Sequence, residues 1–153
     1  MTVYIGIDPA CQSGAWAVID HNGYRDCGMI KSVDARVVCL DFKDALKKAV
    51  NASESAEICI EQVFGMSGQG ITSTSKFMRA VGAIEAVCEL TRYPVHFVSP
   101  QKWKKHFGLI KCDKNASLDI ARKLYPEAPL SRKKDHNKAE ALLLARYLYE
   151  VNI

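Results

Sequence analysis

Three acidic residues stand at the ends of apolar segments, where their carboxylates could bind a metal ion. Asp8 ends one apolar run, Glu61 ends a second, and Glu140 directly precedes a third. Carboxylates that meet at one edge of a sheet repel one another and need a cation, and such oxygen ligands favour Mg²⁺ or Mn²⁺ over zinc. The three acids therefore form a candidate metal site, with unrelated surface carboxylates as the alternative.

The spacing of apolar residues predicts the elements that would carry these acids. Strands are expected at 3–7, 14–19, 24–30, 58–61 and 95–98, with an Asn-Gly hairpin signal between the second and third. Helices are expected at 34–50, 72–91, 100–107, 114–125 and 137–150. The expected buried side of the first helix comprises Val37, Val38, Leu40, Ala45, Leu46 and Ala49. This order of elements predicts a mixed α/β layer fold.

Length and composition favour one soluble domain covering residues 1–153. The chain has 153 residues, of which 48% are hydrophobic and 25% charged. Its apolar runs are all shorter than the roughly 18 residues of a membrane span, and the N-terminus lacks a charged-then-apolar leader. Six dispersed cysteines without a CxxC pair indicate reduced thiols rather than disulfides or zinc. We therefore expect a cytoplasmic protein.

The net charge of +4 is unevenly distributed. Residues 1–76 contain seven Lys or Arg and nine Asp or Glu, whereas residues 77–153 contain fourteen and eight. The segment 101–138 alone holds eleven basic residues. Such a run is usually a solvated face, but it could also displace counterions from the phosphates of a nucleic acid. Charge by itself leaves both interpretations open.

Three strings around the acids carry a family resemblance. They are IGIDP at 5–9 with the following Ser13-Gly14 pair, IEQVF at 60–64 and HNKAEAL at 136–142. Together they resemble the three acidic motifs of the RuvC-type Holliday-junction resolvases, and most of all the short phage-like members. The resemblance covers residues 3–149, in the same order and at similar spacing. It is the combination, rather than any single string, that is specific.

The resemblance implies an RNase H-like fold, with three antiparallel strands followed by two parallel ones and helices on both sides. It also implies a structure-selective endonuclease that resolves four-way DNA junctions with two Mg²⁺ ions per site, for which Mn²⁺ would substitute. Asp8 and Glu61 match the first two acidic positions. Glu140 takes the last one, where the family more often has Asp.

This chain differs from the family at the fourth acidic position. Many members carry an acid or a His three residues before the last carboxylate, and this chain has Asn137 there. His136 lies one helical turn before Glu140 and could act as a ligand or proton shuttle. Asp135 could reach the site if the helix begins after it, although it could instead only cap that helix. We favour Asp135 as the fourth ligand, with His136 and Asn137 as alternatives.

Basic and aromatic residues are expected to hold the DNA. In resembling enzymes an aromatic residue at the place of Phe64 unstacks bases at the junction centre, while core packing is the alternative for an isolated Phe. Lys104 and Lys114 match two basic residues near the scissile phosphate, Lys104 with a catalytic role, and Lys102 and Lys105 are the close alternatives within the same short helix. The expected DNA contacts are Phe64, Lys76, Arg79, Lys102, Lys105, Lys114, Arg132, Lys133 and Lys134. Small polar loop residues, Ser67 among them, could add phosphate contacts. Trp103 and Phe107 are predicted to be core anchors.

The leading hypothesis is therefore a Mg²⁺-dependent junction endonuclease that acts as a homodimer, in a bacterial or phage-infected cell. Two opposed cuts need two equivalent sites, and the helix at 72–91 is the candidate interface. A branched-DNA-binding module, or a broader debranching nuclease, is the alternative. An ATPase of the related actin-like fold is disfavoured because residues 9–12 supply no glycine-rich phosphate loop.

Overall fold

A mixed five-stranded sheet with helices on both faces organises the chain. The computed structural model describes residues 1–10, 13–64, 68 and 70–151, so Cys11 and Ser67 lie outside the described residues. The elements are β1 (Thr2–Asp8), β2 (Gly14–Asp20), β3 (Gly23–Ile30), α1 (Ala35–Ala49), β4 (Ser55–Glu61), α2 (Ile71–Leu90), β5 (Val95–Val98), α3 (Pro100–His106), α4 (Lys114–Leu124), a 3-10 turn (Lys133–Asp135) and α5 (His136–Val151).

The strand order is β3-β2-β1-β4-β5. β1 pairs antiparallel with β2 and parallel with β4, and β5 adds a second parallel pair on the far side of β4. The hairpin between β2 and β3 turns at Gly23, whose φ of +121° is accessible to glycine but not to most side chains. The Asp20 carboxylate accepts the Asn22 N–H at 2.7 Å and supports this turn. The predicted fold class is confirmed.

Side chains of β1, β2 and β4 alternate between two apolar cores, one on each face of the sheet. Ile5 and Ile7 point towards α1 and α2, and the other face is covered by α5, with α3 and α4 beyond it. α5 lies directly on β1 at Gly6, where a Cβ atom would overlap the backbone of Ala141 and Ala145. Only glycine leaves room for this contact, so Gly6 sets how closely α5 approaches the sheet.

The buried side of α1 differs from the sequence prediction. Val38, Leu46 and Ala49 are buried as expected, together with Phe42. Val37 and Leu40, however, expose 41% and 60% of their surface. Asp34 caps the helix by accepting the Arg36 N–H, and the stripe that then faces the sheet repeats about every four residues. The apolar character of Val37 and Leu40 was misleading because their phase on the helix points them to solvent.

The described cysteines have free thiols: Cys27, Cys39, Cys59, Cys88 and Cys112. Burial raises the pKa of Cys59 and of Cys88 to about 12, so both stay protonated and pack as small apolar side chains. No helix within the described ranges is long and apolar enough to cross a membrane.

Candidate metal centre at the sheet edge

The parallel pairing of β1 and β4 places two of the predicted acids side by side. Ile7 pairs with Ile60, so the residues that follow, Asp8 and Glu61, end neighbouring strands at the same edge of the sheet. Glu140 comes from the first turns of α5 and lies close enough to Asp8 to raise the pKa of that carboxyl group. The structure thus brings Asp8, Glu61 and Glu140 together from three separate elements.

Negative charge is unfavourable in this cluster. The pKa of Asp8 is raised well above its ordinary value, mainly because the group is buried and further because Glu61 and Glu140 repel its charge. Burial also raises the pKa of Glu61, with a smaller contribution from Glu140. Removal of carboxylates from water and their mutual repulsion are the two effects that a bound cation reverses. The donor chemistry therefore fits a hard divalent ion.

Metal binding at this cluster would be coupled to proton release, because the raised pKa of Asp8 favours its protonated form. Within residues 1–10, 13–64, 68 and 70–151, no group of three or more His, Cys, Asp or Glu side chains is spaced to hold a metal ion as the side chains stand.

Trp103 fixes the orientation of Glu61. Its indole N–H donates to Glu61 Oε2 at 2.6 Å, and its ring is fully buried. The hydrogen bond partly opposes the effect of burial on the pKa of Glu61. The sequence prediction of a core anchor is correct for the ring but omits this contact. A buried indole N–H usually needs an acceptor, and that was the signal in the sequence.

Two lysines add positive charge beside the acids. Lys104 lowers the pKa of Glu61, and Lys114 lowers that of Asp8, so each ammonium group lies near one carboxylate. Lys104 also lies over the Trp103 ring, with its Nζ 5.7 Å from the ring centroid. The alternatives Lys102 and Lys105 are exposed on α3. The structure favours Lys104 and Lys114 as the pair next to the cluster.

Asp135 is not brought together with the other three acids. Its buried carboxylate accepts hydrogen bonds from the Arg132 backbone N–H at 2.9 Å and from the Arg132 guanidinium at 2.9 and 3.3 Å, and Lys138 lies 3.7 Å away. Burial alone would raise the pKa of Asp135, but these cationic neighbours hold it below its ordinary value. The 3-10 turn before α5 orients the side chain as a cap. Asp135 thus closes the 3-10 turn that precedes α5, with Arg132 as its partner, and its role as the fourth ligand stays a prediction.

His136 contacts Lys114, the lysine whose charge acts on Asp8. Its Nδ1 is 3.1 Å from the Lys133 carbonyl oxygen, and its Nε2 is 3.3 Å from Lys114 Nζ. The backbone contact orients the ring, as in many metal-binding histidines, while Nε2 already contacts the Lys114 ammonium group. Asn137 is half-buried at the next position of α5. Which of the three residues serves as the fourth ligand stays a prediction.

A basic surface adjoins the 3-10 turn. A cavity of about 240 Å³ is lined by Met29, Lys31, Arg132, Lys134 and Asp135. Asp135 holds the Arg132 guanidinium in place while 56% of that side chain remains exposed. Lys31 belongs to the segment after β3 and was not predicted from the sequence, because it is far along the chain from the C-terminal basic run.

The other predicted DNA contacts are also exposed. Phe64 follows β4 and exposes 70% of its surface, so the alternative of core packing is wrong for this residue. Lys76 and Arg79 are exposed on the first half of α2, and Lys133 is exposed at the 3-10 turn. An exposed aromatic ring can stack on an unpaired base, and exposed basic side chains can bind phosphates.

Known structures share this architecture, although the sequence alone finds no relative: neither a protein-family model nor a curated protein sequence matches the chain. The RuvC protein of Thermus thermophilus in complex with a Holliday-junction substrate superposes with a TM-score of 0.71 at 16% identity, covering 99% of this chain and 96% of that one. A second structure of Thermus thermophilus RuvC gives 0.66 at 16% identity, with 98% and 96% covered. A yeast mitochondrial Holliday-junction resolvase gives 0.61 at 16% identity, with 97% and 79% covered. The chain therefore has the RuvC-type fold.

Proposed function

We propose that this chain is a metal-dependent endonuclease that resolves four-way DNA junctions, with residues 1–153 acting as one domain. The observation that carries the proposal is the convergence of Asp8, Glu61 and Glu140 at one sheet edge. The RuvC-type fold supports it, since one protein with this fold was solved on a Holliday junction and another is named as a resolvase.

In this proposal Asp8, Glu61 and Glu140 hold two Mg²⁺ ions, with Mn²⁺ as a substitute and His136 as a further ligand. Bound ions would activate water for attack on the phosphodiester and stabilise the leaving oxygen. The chain itself supplies oriented carboxylates and two ammonium groups. Lys104 and Lys114 lie beside the acids, where they would bind the phosphate whose negative charge the carboxylates repel.

The DNA arms would lie on the surface formed by Phe64, Lys76, Arg79, Lys102, Lys105, Lys31 and Arg132–Lys134. These residues reach solvent on the elements that lead to or from the carboxylate cluster. Arg132 is pre-oriented by Asp135, which lowers the entropy lost when its guanidinium binds a phosphate. The Phe64 ring is free to stack on a base at the junction centre.

Oligomerisation is the next part of the proposal. A junction needs two opposed cuts, and a symmetric dimer presents two copies of one site. The outer side of α2 carries an exposed stripe of apolar or small residues at four-residue spacing, namely Met78, Gly82, Ala86 and Leu90. We infer that this stripe packs against its copy in a homodimer.

The substitution Ala86→Glu is expected to convert the dimer to a monomer, because it places an uncompensated charge in the centre of the apolar stripe. Sedimentation equilibrium at micromolar concentration measures this change, and Arg36→Glu on the exposed side of α1 serves as the charge-altering control. A wild-type protein that sediments as a monomer, both free and on junction DNA, contradicts the dimer.

Two neighbouring residues, Asp135 and His136, are candidates for the fourth ligand and differ in the expected effects of their substitution. His136→Ala is expected to slow cleavage at least about 10-fold, the lower range for disturbing a metal site. Asp135→Asn is expected to retain cleavage and to lower the free energy of unfolding by about 1 kcal/mol, the usual cost of a lost cap. Single-turnover cleavage and urea unfolding of both variants give the measurements. A severe cleavage defect in folded Asp135→Asn would restore Asp135 as a ligand.

The proposal as a whole is tested with labelled four-way, flap and linear duplex DNA in Mg²⁺. Paired symmetric nicks confined to the four-way substrate support a resolvase, whereas equal cutting of flaps indicates a broader debranching nuclease. Binding of junctions without any cutting in Mg²⁺ or Mn²⁺ indicates a branched-DNA-binding module instead. The cytoplasm of a bacterial or phage-infected cell is the compartment that we propose, consistent with the free thiols of the described cysteines.

A further inference from the structure

We propose that Trp103 is a positioning residue that holds Glu61 ready for metal binding. The inference rests on the proposed function, because it takes Glu61 as a metal ligand. Trp103 donates its indole N–H to Glu61 Oε2 at 2.6 Å, which is short for an N–H···O hydrogen bond and typical of a charged acceptor. The acidic motifs that carry the family resemblance do not include Trp103, and they assign it no role in the reaction.

The bond joins a rigid donor to a flexible acceptor. Trp103 is fully buried in the core between α3, α4 and α5, in contact with a cluster that includes Leu118 and Leu142. Its helix starts at a defined place, because Ser99 caps it through the Lys102 N–H and Pro100 occupies the first turn. The indole therefore cannot follow the carboxylate if Glu61 rotates. Its fixed N–H selects one orientation of a side chain that otherwise has several rotamers.

The choice of oxygen matters for the metal. The indole occupies Oε2, and among the hydrogen bonds of the described residues none engages Oε1 of Glu61. Oε1 therefore has its lone pairs available to an ion in the cluster that Glu61 forms with Asp8 and Glu140. A carboxylate held in this way loses less conformational entropy when it ligates an ion.

α3 contributes a second group to the same carboxylate. Lys104, the next residue, lies near Glu61 and over the Trp103 ring. One short helix thus delivers both the fixed hydrogen bond and the adjacent positive charge. A tryptophan that served only to fill the core would need the ring but not the N–H.

The test therefore removes the N–H and keeps an aromatic ring. Trp103→Phe is expected to weaken Mn²⁺ binding to the DNA-free protein by about 10- to 100-fold, the range found when a group that orients a metal ligand is lost. Calorimetric titration with Mn²⁺ measures the affinity, and cleavage should slow by a similar factor. Junction binding in EDTA should remain unchanged. The matched control is Trp16→Phe, because Trp16 is also buried but packs on Gly28 at the opposite face of the sheet.

Tryptophan fluorescence provides a second measurement if the Trp103→Phe protein folds poorly. The chain has two tryptophans, so the Trp16→Phe protein carries Trp103 as its single emitter. Addition of Mg²⁺ is expected to change its emission, since the acceptor of the indole becomes a metal ligand. The additional substitution Glu61→Gln should abolish that change.

The outcomes distinguish this inference from the function on which it rests. Wild-type affinity for Mn²⁺ in a folded Trp103→Phe protein overturns the positioning role and leaves the nuclease proposal standing. So does a Trp103 emission that is insensitive to Mg²⁺ while calorimetry shows the ion to bind. Failure of the wild-type protein to bind Mn²⁺ or Mg²⁺ overturns both.

Discussion

Replacing Asp8 by Asn, or Glu61 by Gln, is expected to abolish junction cleavage while leaving junction binding intact. Each substitution removes a proposed anionic metal ligand from the cluster at the sheet edge but none of the basic residues proposed to hold the DNA. A metal ion contributes several kcal/mol of transition-state stabilisation, so its loss corresponds to a rate about 1000-fold lower. Single-turnover cleavage of a labelled junction and a gel-shift titration in EDTA measure the two properties.

Removal of the Asp8 charge is expected to increase the stability of the protein although it abolishes cleavage. Because Asp8 is buried beside Glu61 and Glu140, its charge opposes folding when no metal is bound. Asp8→Asn should therefore melt at a higher temperature than wild type in EDTA. Mg²⁺ should raise the melting temperature of the wild-type protein and have little effect on the variant.

Glu57→Gln provides the matched control for both measurements. Glu57 lies on the same strand as Glu61, near the opposite end, where its carboxylate is 3.3 Å from His96. Its loss should change neither cleavage nor the response to Mg²⁺. Full activity in either Asp8→Asn or Glu61→Gln would show that the metal ligands have been assigned to the wrong residues.

Gly6→Ala is expected to have the largest effect on folding. A Cβ at this position would overlap the backbone of α5 at Ala141 and Ala145, and backbone atoms cannot move aside as a flexible side chain can. Overpacking typically costs 1–3 kcal/mol, and a clash with main-chain atoms belongs at or above the upper end, at about 3 kcal/mol. Since Glu140 precedes Ala141 on the same helix, a displaced α5 should also separate Glu140 from Asp8 and slow cleavage. Urea unfolding followed by circular dichroism measures the first effect.

Gly70→Ala is the corresponding control, because a Cβ at Gly70 meets no atom within 4 Å and the residue has an ordinary φ of −64°. As the cap of α2 it should lose less than about 1 kcal/mol. Equal stabilities for Gly6→Ala and wild type would mean that α5 does not rest directly on β1.

The three acidic residues could be predicted because each stands where an apolar segment of the sequence begins or ends. Asp8 and Glu61 end apolar strands, so their convergence needed only the parallel pairing of β1 with β4, whereas Glu140 begins an apolar helix that must also pack on β1. That pairing follows from a long helical crossover between the two strands, which is a requirement of parallel neighbours. The bounds of β5 and the N-cap of α1 at Asp34 could also be predicted, because both depend on residues that are close together in the sequence.

The contacts that the sequence prediction missed are set by the three-dimensional structure. Asp135 was favoured as the fourth metal ligand on the condition that α5 begins after it, and α5 does begin at His136, but Arg132 binds the Asp135 carboxylate. The bond from Trp103 to Glu61 joins side chains that are far apart in the sequence, and no periodicity records it. Lys31 joins the basic cavity for the same reason. Tertiary contacts decide these roles, and short-range patterns carry no information about them.

The contact of α5 with β1 also has a consequence for the order of events during translation. Asp8 leaves the ribosome well before Glu140 and the helix that seats on Gly6, because β2 to β5 and α1 to α4 lie between β1 and α5 along the chain. Because domains form from the N-terminal end as synthesis proceeds, the early strands can begin to pair while the centre still lacks one of its acids. A polysome-bound or prematurely terminated product therefore has an incomplete centre.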